Sequence, residues 1–367
     1  MMKYNFGDVF EDVTKKGTKI PRMEYLAEGK YPVIDQGKEF IGGYTDNYDG
    51  IFNDVPAIIF GDHTRILKYV DTPFFIGADG VKILAPKLAG ANCKYLYYAL
   101  QKVYVPDTGY NRHFKWLKEA DIVVHDVNKQ NEIVGQLDLL TSMMNKHQLL
   151  LDRYDELVKS RFIEMFGDPV TNPMKWQVKS LSELGDCKNG MNFHKGESGV
   201  DIHCLGVGDF QNLSVITDTS VLPIVSLNEN PSEEYMLQDG DIVFVRSNGN
   251  KNLVGRCLTI YPHDIPTTFS GFCIRYRISS TDKVLTEYLL QVLKHDSMRQ
   301  KMTGRGANIQ NLNQQILSAL QIPLPSIGLQ RKFIEFVELA DKSKLTIQKS
   351  MDNLQELRDS LLQEYFG

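Results

Sequence analysis

The feature that most constrains the fold is an internal repeat, because the two halves of the sequence end in the same way. Residues 151–167 read LDRYDELVKSRFIEMFG, and residues 351–367 read MDNLQELRDSLLQEYFG. Seven of these 17 positions are identical, where chance would give about one. The offset of 200 continues upstream through pairs such as Gln130 and Gln330. A chain that repeats itself at this distance is expected to fold into two related units.

Both copies of the repeat carry apolar residues whose spacing alternates between four and three, which is typical of a coiled-coil seam. Neither stretch contains proline, and each ends at a glycine, Gly167 or Gly367, that suits a helix cap. Two long helices are therefore expected, pairing within the chain as an antiparallel coiled coil. The alternative is two amphipathic helices that each pack only on their own domain. The predicted seam is Ile133, Leu137, Leu140, Met144, Leu151, Tyr154 and Val158 in the first helix, and Phe333, Val337, Ala340, Ile347, Met351 and Leu354 in the second.

The residues ahead of the two helices differ in sequence but share a plan. Short β-branched and aromatic runs beside Gly-Asp or Asp-Gly turns predict strands. A short helix and then a polar loop, 108–115 or 303–310, follow in each half. The fold class is therefore α+β, with two α+β domains separated by two long helices. The predicted boundaries are 1–125 for the first domain, 126–167 for the central helix, 168–325 for the second domain and 326–367 for the C-terminal helix.

The composition is that of an ordinary globular protein, with 367 residues of which 42% are hydrophobic and 24% charged. This excludes a disordered or collagen-like chain. The five cysteines form no Cys-x-x-Cys pair, and their odd number favours reduced thiols over a disulfide framework. No apolar run reaches the roughly 18 residues that a membrane span needs. The expected location is the cytoplasm, with no membrane contact.

The charge is unevenly distributed. The whole chain has a net charge of −5, yet residues 63–118 and residues 244–310 each sum to +6. Two basic stretches in an acidic chain suggest two places where phosphates could lie. The alternative is a set of scattered, solvated lysines.

The motifs of the common enzymes are absent from the sequence. It contains no phosphate-binding Gly-x-x-x-x-Gly-Lys-Ser/Thr loop and no Gly-x-Ser-x-Gly. Asn172-Pro173-Met174 lacks the second proline and the aromatic residue of an amino-methyltransferase loop. The Pro106-Asp107 pair lacks the Glu-x-Lys of a metal-dependent nuclease. No catalytic or metal-binding residue is therefore predicted.

Two dissimilar α+β domains, each with a basic stretch, alternate with two similar long helices. In this arrangement the chain resembles the specificity subunit of type I restriction–modification systems over nearly its whole length. The resemblance is carried by residues 56–65 (PAIIFGDHTR), 74–84 (FFIGADGVKIL), 166–176, 240–242 with the loop that follows, and 307–325.

This resemblance implies a non-catalytic subunit whose two target recognition domains each read one half of a split DNA site, with the helices as a spacer. A straight helix over residues 130–166 would run about 55 Å at about 1.5 Å per residue, on the order of 16 base pairs. The implied partners are double-stranded DNA, two methyltransferase subunits and restriction subunits. The methyltransferase would bring S-adenosylmethionine and accept a flipped adenine, so this chain should hold no cofactor. Because the domains differ, the site should be asymmetric.

Arginine, asparagine and glutamine can read guanine and adenine by paired hydrogen bonds in the major groove. The DNA-binding candidates are therefore residues of the polar turns and loops. They are His63, Arg65, Arg112 and Lys115 in the first domain, and Arg246, Asn248, Lys251, Arg305 and Asn308 in the second.

Two other functions compete with this interpretation. A coiled-coil protein-interaction scaffold without DNA specificity would explain the helices and the acidic total charge, but not the two basic stretches. A nuclease or methyltransferase with an unrecognised site is the second alternative.

Overall fold

The computed structural model describes residues 2–77, 79–109, 111–194, 196–210, 213–303 and 311–367. The chain forms two units: unit 1 comprises Met1–Leu149 with Ile347–Gly367, and unit 2 comprises Leu150–Thr346. Each unit therefore contains one globular domain and a part of each long helix. The finer division into separate domains and spacer helices stays a prediction.

Among the described residues, the globular domain of unit 1 contains ten strands and three short α-helices. They are β1 (Met2–Asn5), α1 (Phe6–Val9), β2 (Phe10–Asp12), β3 (Lys19–Ile20), β4 (Tyr31–Ile34), β5 (Gly43–Thr45), β6 (Ala57–Gly61), β7 (Leu67–Val70), β8 (Phe75–Gly77), β9 (Val81–Pro86), α2 (Cys93–Lys102), α3 (Phe114–Lys118) and β10 (Asp121–Val124). The described strands form sheets in the orders β2-β9-β6-β7 and β3-β8-β4-β5, together with an antiparallel β1-β10 pair. The first long helix, α4 (Val127–Phe166), follows.

The globular domain of unit 2 has a related plan. Its elements are β11 (Gln177–Ser180), β12 (Gly185–Asn189), β13 (Val200–Leu205), β14 (Val215–Ile216), β15 (Ile224–Leu227), β16 (Asp241–Val245), β17 (Cys257–Ile260), β18 (Thr267–Phe269), β19 (Cys273–Ile278), α5 (Thr286–Lys294), α6 (Asp296–Thr303), α7 (Gln314–Ser318) and β20 (Gln321–Leu324). The sheets have the orders β12-β19-β16-β17-β14 and β15-β13-β18, with an antiparallel β11-β20 pair. The second long helix is α8 (Ile327–Phe366).

Each domain is organised around a central strand that is buried on both faces. In β6, Ile58 and Phe60 belong to the core beneath α2, while Ile59 faces a second core. In β16, Ile242 and Phe244 occupy one core, and Val243 and Val245 occupy another. Successive side chains of a strand point to opposite faces, so a strand covered on both sides reads as a continuous apolar run.

The structure extends the repeat to several elements at the same offset of 200. The helices α3 and α7, the strands β10 and β20, and the long helices α4 and α8 correspond residue for residue. The α+β fold class is confirmed.

The long helices pack together within each unit. In unit 2, Phe162 of α4 lies 5.5 Å from Phe333 of α8 between ring centroids, and Asp155 accepts a hydrogen bond from Lys344 at 2.6 Å. Since the later residue of α4 meets the earlier residue of α8, the helices run antiparallel. In unit 1, Tyr365 donates a hydrogen bond to Gln136 at 2.9 Å. All thirteen predicted seam residues are buried or half-buried.

The end of each long helix packs on the globular domain of its unit. The ring of Phe366, at the end of α8, lies 5.1 Å from Tyr95 of α2 in unit 1. The ring of Phe166, at the end of α4, lies 5.0 Å from Tyr288 of α5 in unit 2. Each domain is therefore completed by a helix end that comes from the other half of the repeat.

Candidate nucleic-acid interface

In unit 1 the turn between β6 and β7 is joined to the polar loop before α3. The carbonyl oxygen of Asp62 accepts a hydrogen bond from the amide of His113 at 2.8 Å, and its buried carboxylate accepts one from Phe114 at 2.8 Å. The Nδ1 of His63 donates to the carbonyl oxygen of Asn111 at 3.1 Å. Two segments about 50 residues apart therefore form one surface, which brings His63 and Arg65 close to Arg112 and Lys115.

Gln36 fixes the turn from the opposite side. Its Oε1 accepts a hydrogen bond from the amide of His63 at 3.1 Å, and its Nε2 donates to the carbonyl oxygen of Asp79 at 3.2 Å. The hydroxyl of Thr64 donates to the carbonyl oxygen of Gln36 at 2.7 Å. The amide of Asp62 also donates to the carbonyl oxygen of Gly80 at 2.6 Å. The turn is thus held by three other segments, which pre-organises its side chains for contact with a rigid partner.

Arg65 holds the polar loop in place. Its backbone has a φ of 62°, and its guanidinium pairs with Asp107 at 2.6 Å and donates to the carbonyl oxygen of Val105 at 3.3 Å. The amide of Gly109 and the charge of Arg65 lower the pKa of the Asp107 carboxyl. The guanidinium of Arg65 is therefore engaged within unit 1, and its contact with DNA stays a prediction.

The other basic candidates of unit 1 are more accessible. Arg112 and Lys115 are exposed, and the Nζ of Lys115 lies 4.9 Å from the centroid of the Trp116 ring. Among the candidates of unit 1, these two side chains are therefore the most open to contact with DNA.

Half of the net positive charge predicted for the first basic stretch is balanced by acids outside that stretch. Lys68 lies 3.6 Å from Asp35, Lys82 pairs with Asp12 at 3.2 Å, and Lys94 pairs with Asp138 at 2.8 Å. Including these three acids lowers the local charge from +6 to +3. The remaining positive charge includes the exposed pair Arg112 and Lys115.

In unit 2 the turn after β16 meets residues 311 and 312, which follow the second polar loop. The carbonyl oxygen of Arg246 accepts a hydrogen bond from the amide of Leu312 at 2.8 Å, and Ser247 forms an antiparallel bridge with Asn311. The guanidinium of Arg246 donates to the carbonyl oxygen of Gly271 at 3.1 Å. In both units the turn after the central strand is therefore joined to the segment that leads into a short helix, α3 or α7.

Of the remaining candidates of unit 2, the structure describes the side chain of Asn248 only. Asn248 is half-buried, and its side-chain oxygen accepts a hydrogen bond from the amide of Asn250 at 2.7 Å. Lys251 begins a short 3-10 helix, Lys251–Leu253, and its side chain lies outside the described part of the structure. Arg305 and Asn308 also lie outside the described residues.

Two arginines of the second basic stretch have structural partners. Arg275 is 4% exposed and pairs with Asp186 at 2.8 Å, while Arg277 forms a two-point contact with the buried Asp241 at 2.7 and 2.8 Å. Both acids precede the stretch in sequence, and including them lowers its charge from +6 to +4. Both ion pairs join neighbouring strands of one sheet, so the charge of these two arginines is balanced within unit 2.

Other features bear on the kind of protein. All five cysteines are free thiols. Among the described residues, no helix is both long and apolar enough to cross a membrane, and no cluster of three His, Cys, Asp or Glu side chains could hold a metal ion.

Comparison with known proteins identifies the family. Residues 173–357, about half of the chain, match the family described as "Type I restriction modification DNA specificity domain". The chain therefore belongs to this family, and the resemblance seen in the sequence is confirmed.

Individual relatives agree with this assignment. The chain is 23% identical to the type I restriction enzyme StySPI specificity subunit of Salmonella potsdam, over 66% of this chain and 55% of that subunit. It thus spans about half the length of that relative. It is 21% identical to the type I restriction enzyme EcoR124I/EcoR124II specificity subunit of Escherichia coli, over 91% of this chain and 85% of that subunit.

A solved structure shares the fold. The type I restriction-modification system S subunit from M. genitalium is 19% identical and aligns over 100% of this chain and 96% of that chain, with a TM-score of 0.57. The fold of the whole chain is therefore that of an S subunit.

Proposed function

We propose that this protein is the DNA sequence-recognition subunit of a type I restriction–modification complex, and that each globular domain reads one half of a bipartite site. The observation that carries the proposal is that both units join the turn after the central strand to the segment before a short helix. Asp62 joins His113 in unit 1, and Arg246 joins Leu312 in unit 2. A chain that builds the same kind of surface twice can bind two stretches of one duplex.

The two surfaces carry different side chains. Unit 1 exposes Arg112 and Lys115 at the start of α3, whereas the turn after β16 in unit 2 carries the half-buried Arg246 and Asn248. Different donors and acceptors select different bases in the major groove. The full site should therefore be asymmetric.

The long helices supply the spacing between the half-sites in this proposal. The helix α4 has 40 residues, which corresponds to about 60 Å at about 1.5 Å per residue. Because α4 and α8 are copies of each other, they also offer two equivalent docking positions. These positions would receive two methyltransferase subunits, and restriction subunits would join the complex.

Repeated exposed leucines support two equivalent docking positions. Leu139 and Leu339 are 62% and 64% exposed, and Leu157 and Leu357 are 48% and 49% exposed. None of them belongs to the predicted seam. An apolar side chain that is kept in solvent at the same place in both copies suits a partner that binds twice.

The chemistry is assigned to the partners. The methyltransferase subunits would bind S-adenosylmethionine and receive the flipped adenine, and this chain would hold no cofactor and perform no catalysis. The assembled complex would work in the cytoplasm, where its DNA is.

A methylation map tests the proposal. We expect that deletion of this gene removes N6-methyladenine from one split, asymmetric motif across the genome, and that a plasmid copy restores it. Persistence of every methylated motif in cells that express the methyltransferase would contradict the proposal. The scaffold alternative is tested with the purified complex, since only DNA contacts that release counterions produce a strong dependence of affinity on salt.

A further inference from the structure

A basic pocket lies in unit 2 beside the turn that carries Arg246 and Asn248. It has a volume of about 190 Å³, and Arg256, Lys294 and Arg299 line it together with apolar atoms of Phe210, Leu213 and Cys257. No acidic side chain is among the described residues that line it. Three cations around one partly enclosed space make an anion the favoured occupant.

Lys294, the last residue of α5, is half-buried. Its Nζ donates a hydrogen bond to the hydroxyl of Ser214 at 2.5 Å, and burial lowers its pKa. On the long helices, the charge of Lys344 also lowers this pKa, whereas the charges of Asp155 and Asp341 raise it. An ammonium group has three N–H donors, so a single hydroxyl leaves two of them for a ligand.

Arg299 of α6 fixes one wall of the pocket. Its Nη2 donates to the carbonyl oxygens of Asn252 and Val254 at 3.1 and 3.3 Å. These bonds hold the chain that leads to Gly255, whose φ of 77° favours glycine and turns the backbone into Arg256. Among the described residues, Nη1 and Nε of Arg299 have no hydrogen-bond acceptor.

The position of the pocket points to the source of the anion. The turn that leaves β16 at Arg246 returns to β17 through Gly255 and Arg256, so the pocket lies at the base of the segment proposed to read bases. In protein–DNA complexes, contacts to phosphates set the register of the protein, and neighbouring side chains read the bases. The volume equals that of about six water molecules at about 30 Å³ each, which leaves room for a phosphate with part of its hydration.

We propose that this pocket binds a backbone phosphate of the DNA next to the half-site read by unit 2, with Lys294, Arg299 and Arg256 as its donors. The inference rests on the proposed function, because it names the ligand of one part of that interface. A contact of this kind contributes equally to all DNA sequences and positions the turn over its bases.

The test uses two variants, Lys294→Gln and Arg256→Gln, in the complex of the full chain with its methyltransferase. Affinity is measured by fluorescence anisotropy for a duplex with the methylated motif and for an unrelated duplex, over a series of salt concentrations. The slope of log affinity against log salt is negative. For each variant we expect this slope to become less steep by about one. The preference for the correct half-site should stay unchanged. Lys301→Gln is the matched control, because Lys301 is exposed on α6 and does not line the pocket.

The outcomes separate the two proposals. If the unaltered complex binds DNA without salt dependence or preference, the proposed function fails. If it binds specifically but both variants keep its salt slope and melt like the unaltered protein, the pocket proposal alone is overturned. Calorimetry with inorganic phosphate provides a second arm. Phosphate binding that Lys294→Gln abolishes, with an unchanged DNA slope, would assign the pocket to a free anion and would also overturn the inference.

Discussion

Gln130 and Gln330, which are 200 residues apart, make the same hydrogen bonds in the two units. Gln130 accepts from the amide of Asn92 at 2.8 Å and donates to the carbonyl oxygen of His125 at 2.7 Å. Gln330 accepts from the amide of Leu285 at 2.9 Å and donates to the carbonyl oxygen of Pro325 at 2.9 Å. Asn92 and Leu285 are the residues before α2 and α5, so each glutamine fastens the start of a long helix to the start of a short one.

Replacement of Gln330 by methionine should therefore destabilise unit 2. Methionine has a similar size, but it leaves the half-buried amide of Leu285 and the carbonyl oxygens of Pro325 and Lys283 without this partner. We expect the free energy of unfolding to fall by about 1–3 kcal/mol for each group left unpaired. Urea unfolding followed by circular dichroism measures the change. The control Gln348→Met, on the exposed face of α8, should stay within about 0.5 kcal/mol of the original protein.

The aromatic ends of the long helices should each stabilise one domain. Phe166 is 1% exposed and packs on Tyr288 and Phe333 in unit 2, whereas Phe366 packs on Tyr95 in unit 1. Phe166→Ala should cost about 3–5 kcal/mol, because it removes a buried ring and leaves a cavity. Hydrogen exchange should accelerate in unit 2 for Phe166→Ala and in unit 1 for Phe366→Ala.

The exposed Ile163, less than one turn before Phe166, provides the control. Ile163→Ala should change the free energy of unfolding by less than about 1 kcal/mol. Equal acceleration of exchange in both units by both phenylalanine variants would contradict the assignment of one helix end to each domain.

Arg65 and Asp107 should act as a pair in DNA binding. If Arg65 positions the polar loop, then Arg65→Ala and Asp107→Asn should weaken binding of the same half-site by similar factors. The double variant should bind DNA no more weakly than either single variant, because each of the three variants loses the same contact between Arg65 and Asp107. Binding assays with duplexes altered in one half-site measure the effect. A direct base contact by Arg65 would instead make Arg65→Ala harmful and Asp107→Asn neutral or favourable.

His125 should contribute to the pH dependence of stability. Burial lowers the pKa of His125, and the charge of Lys129 acts in the same direction. The folded state therefore binds the proton less well than the unfolded state, whose histidine pKa is about 6.5. The contribution of His125 to the stability of the folded state is complete above about pH 6.5 and is lost as the pH falls below that value. The melting temperature of His125→Gln should decline less steeply between pH 7 and pH 5, and an unchanged decline would exclude this role.

The repeat at an offset of 200 made the long helices predictable from the sequence. Equivalent contacts between residues that are not 200 positions apart were missed. Tyr95 donates to the carbonyl oxygen of Val123, and Tyr288 donates to that of Pro323, at 2.9 Å in both units. The two acceptors are 200 residues apart, but the tyrosines are 193 apart. A comparison at one fixed offset cannot find such a pair, although the contact is the same in three dimensions.

The candidate interface was predictable only in part, for a similar reason. Turns rich in glycine, asparagine and basic residues indicated the right segments, since polar loops lie on the surface. Charge counted over a continuous stretch could not show that Arg275 and Arg277 are balanced by Asp186 and Asp241. The partners of a sheet residue come from neighbouring strands, which are distant in sequence.

The repeated leucines provide a test of how the partners assemble. If each long helix offers one docking position, Leu139→Asp should remove one methyltransferase subunit, Leu339→Asp should remove the other, and the double variant should bind neither. A carboxylate at an apolar contact is costly because it loses its hydration without gaining a partner. Native mass spectrometry of the co-expressed complex counts the subunits directly. Leu345→Asp is the control, because Leu345 is 57% exposed but its counterpart in the first helix is Asn145. Retention of two methyltransferase subunits by the double variant would place the docking positions elsewhere.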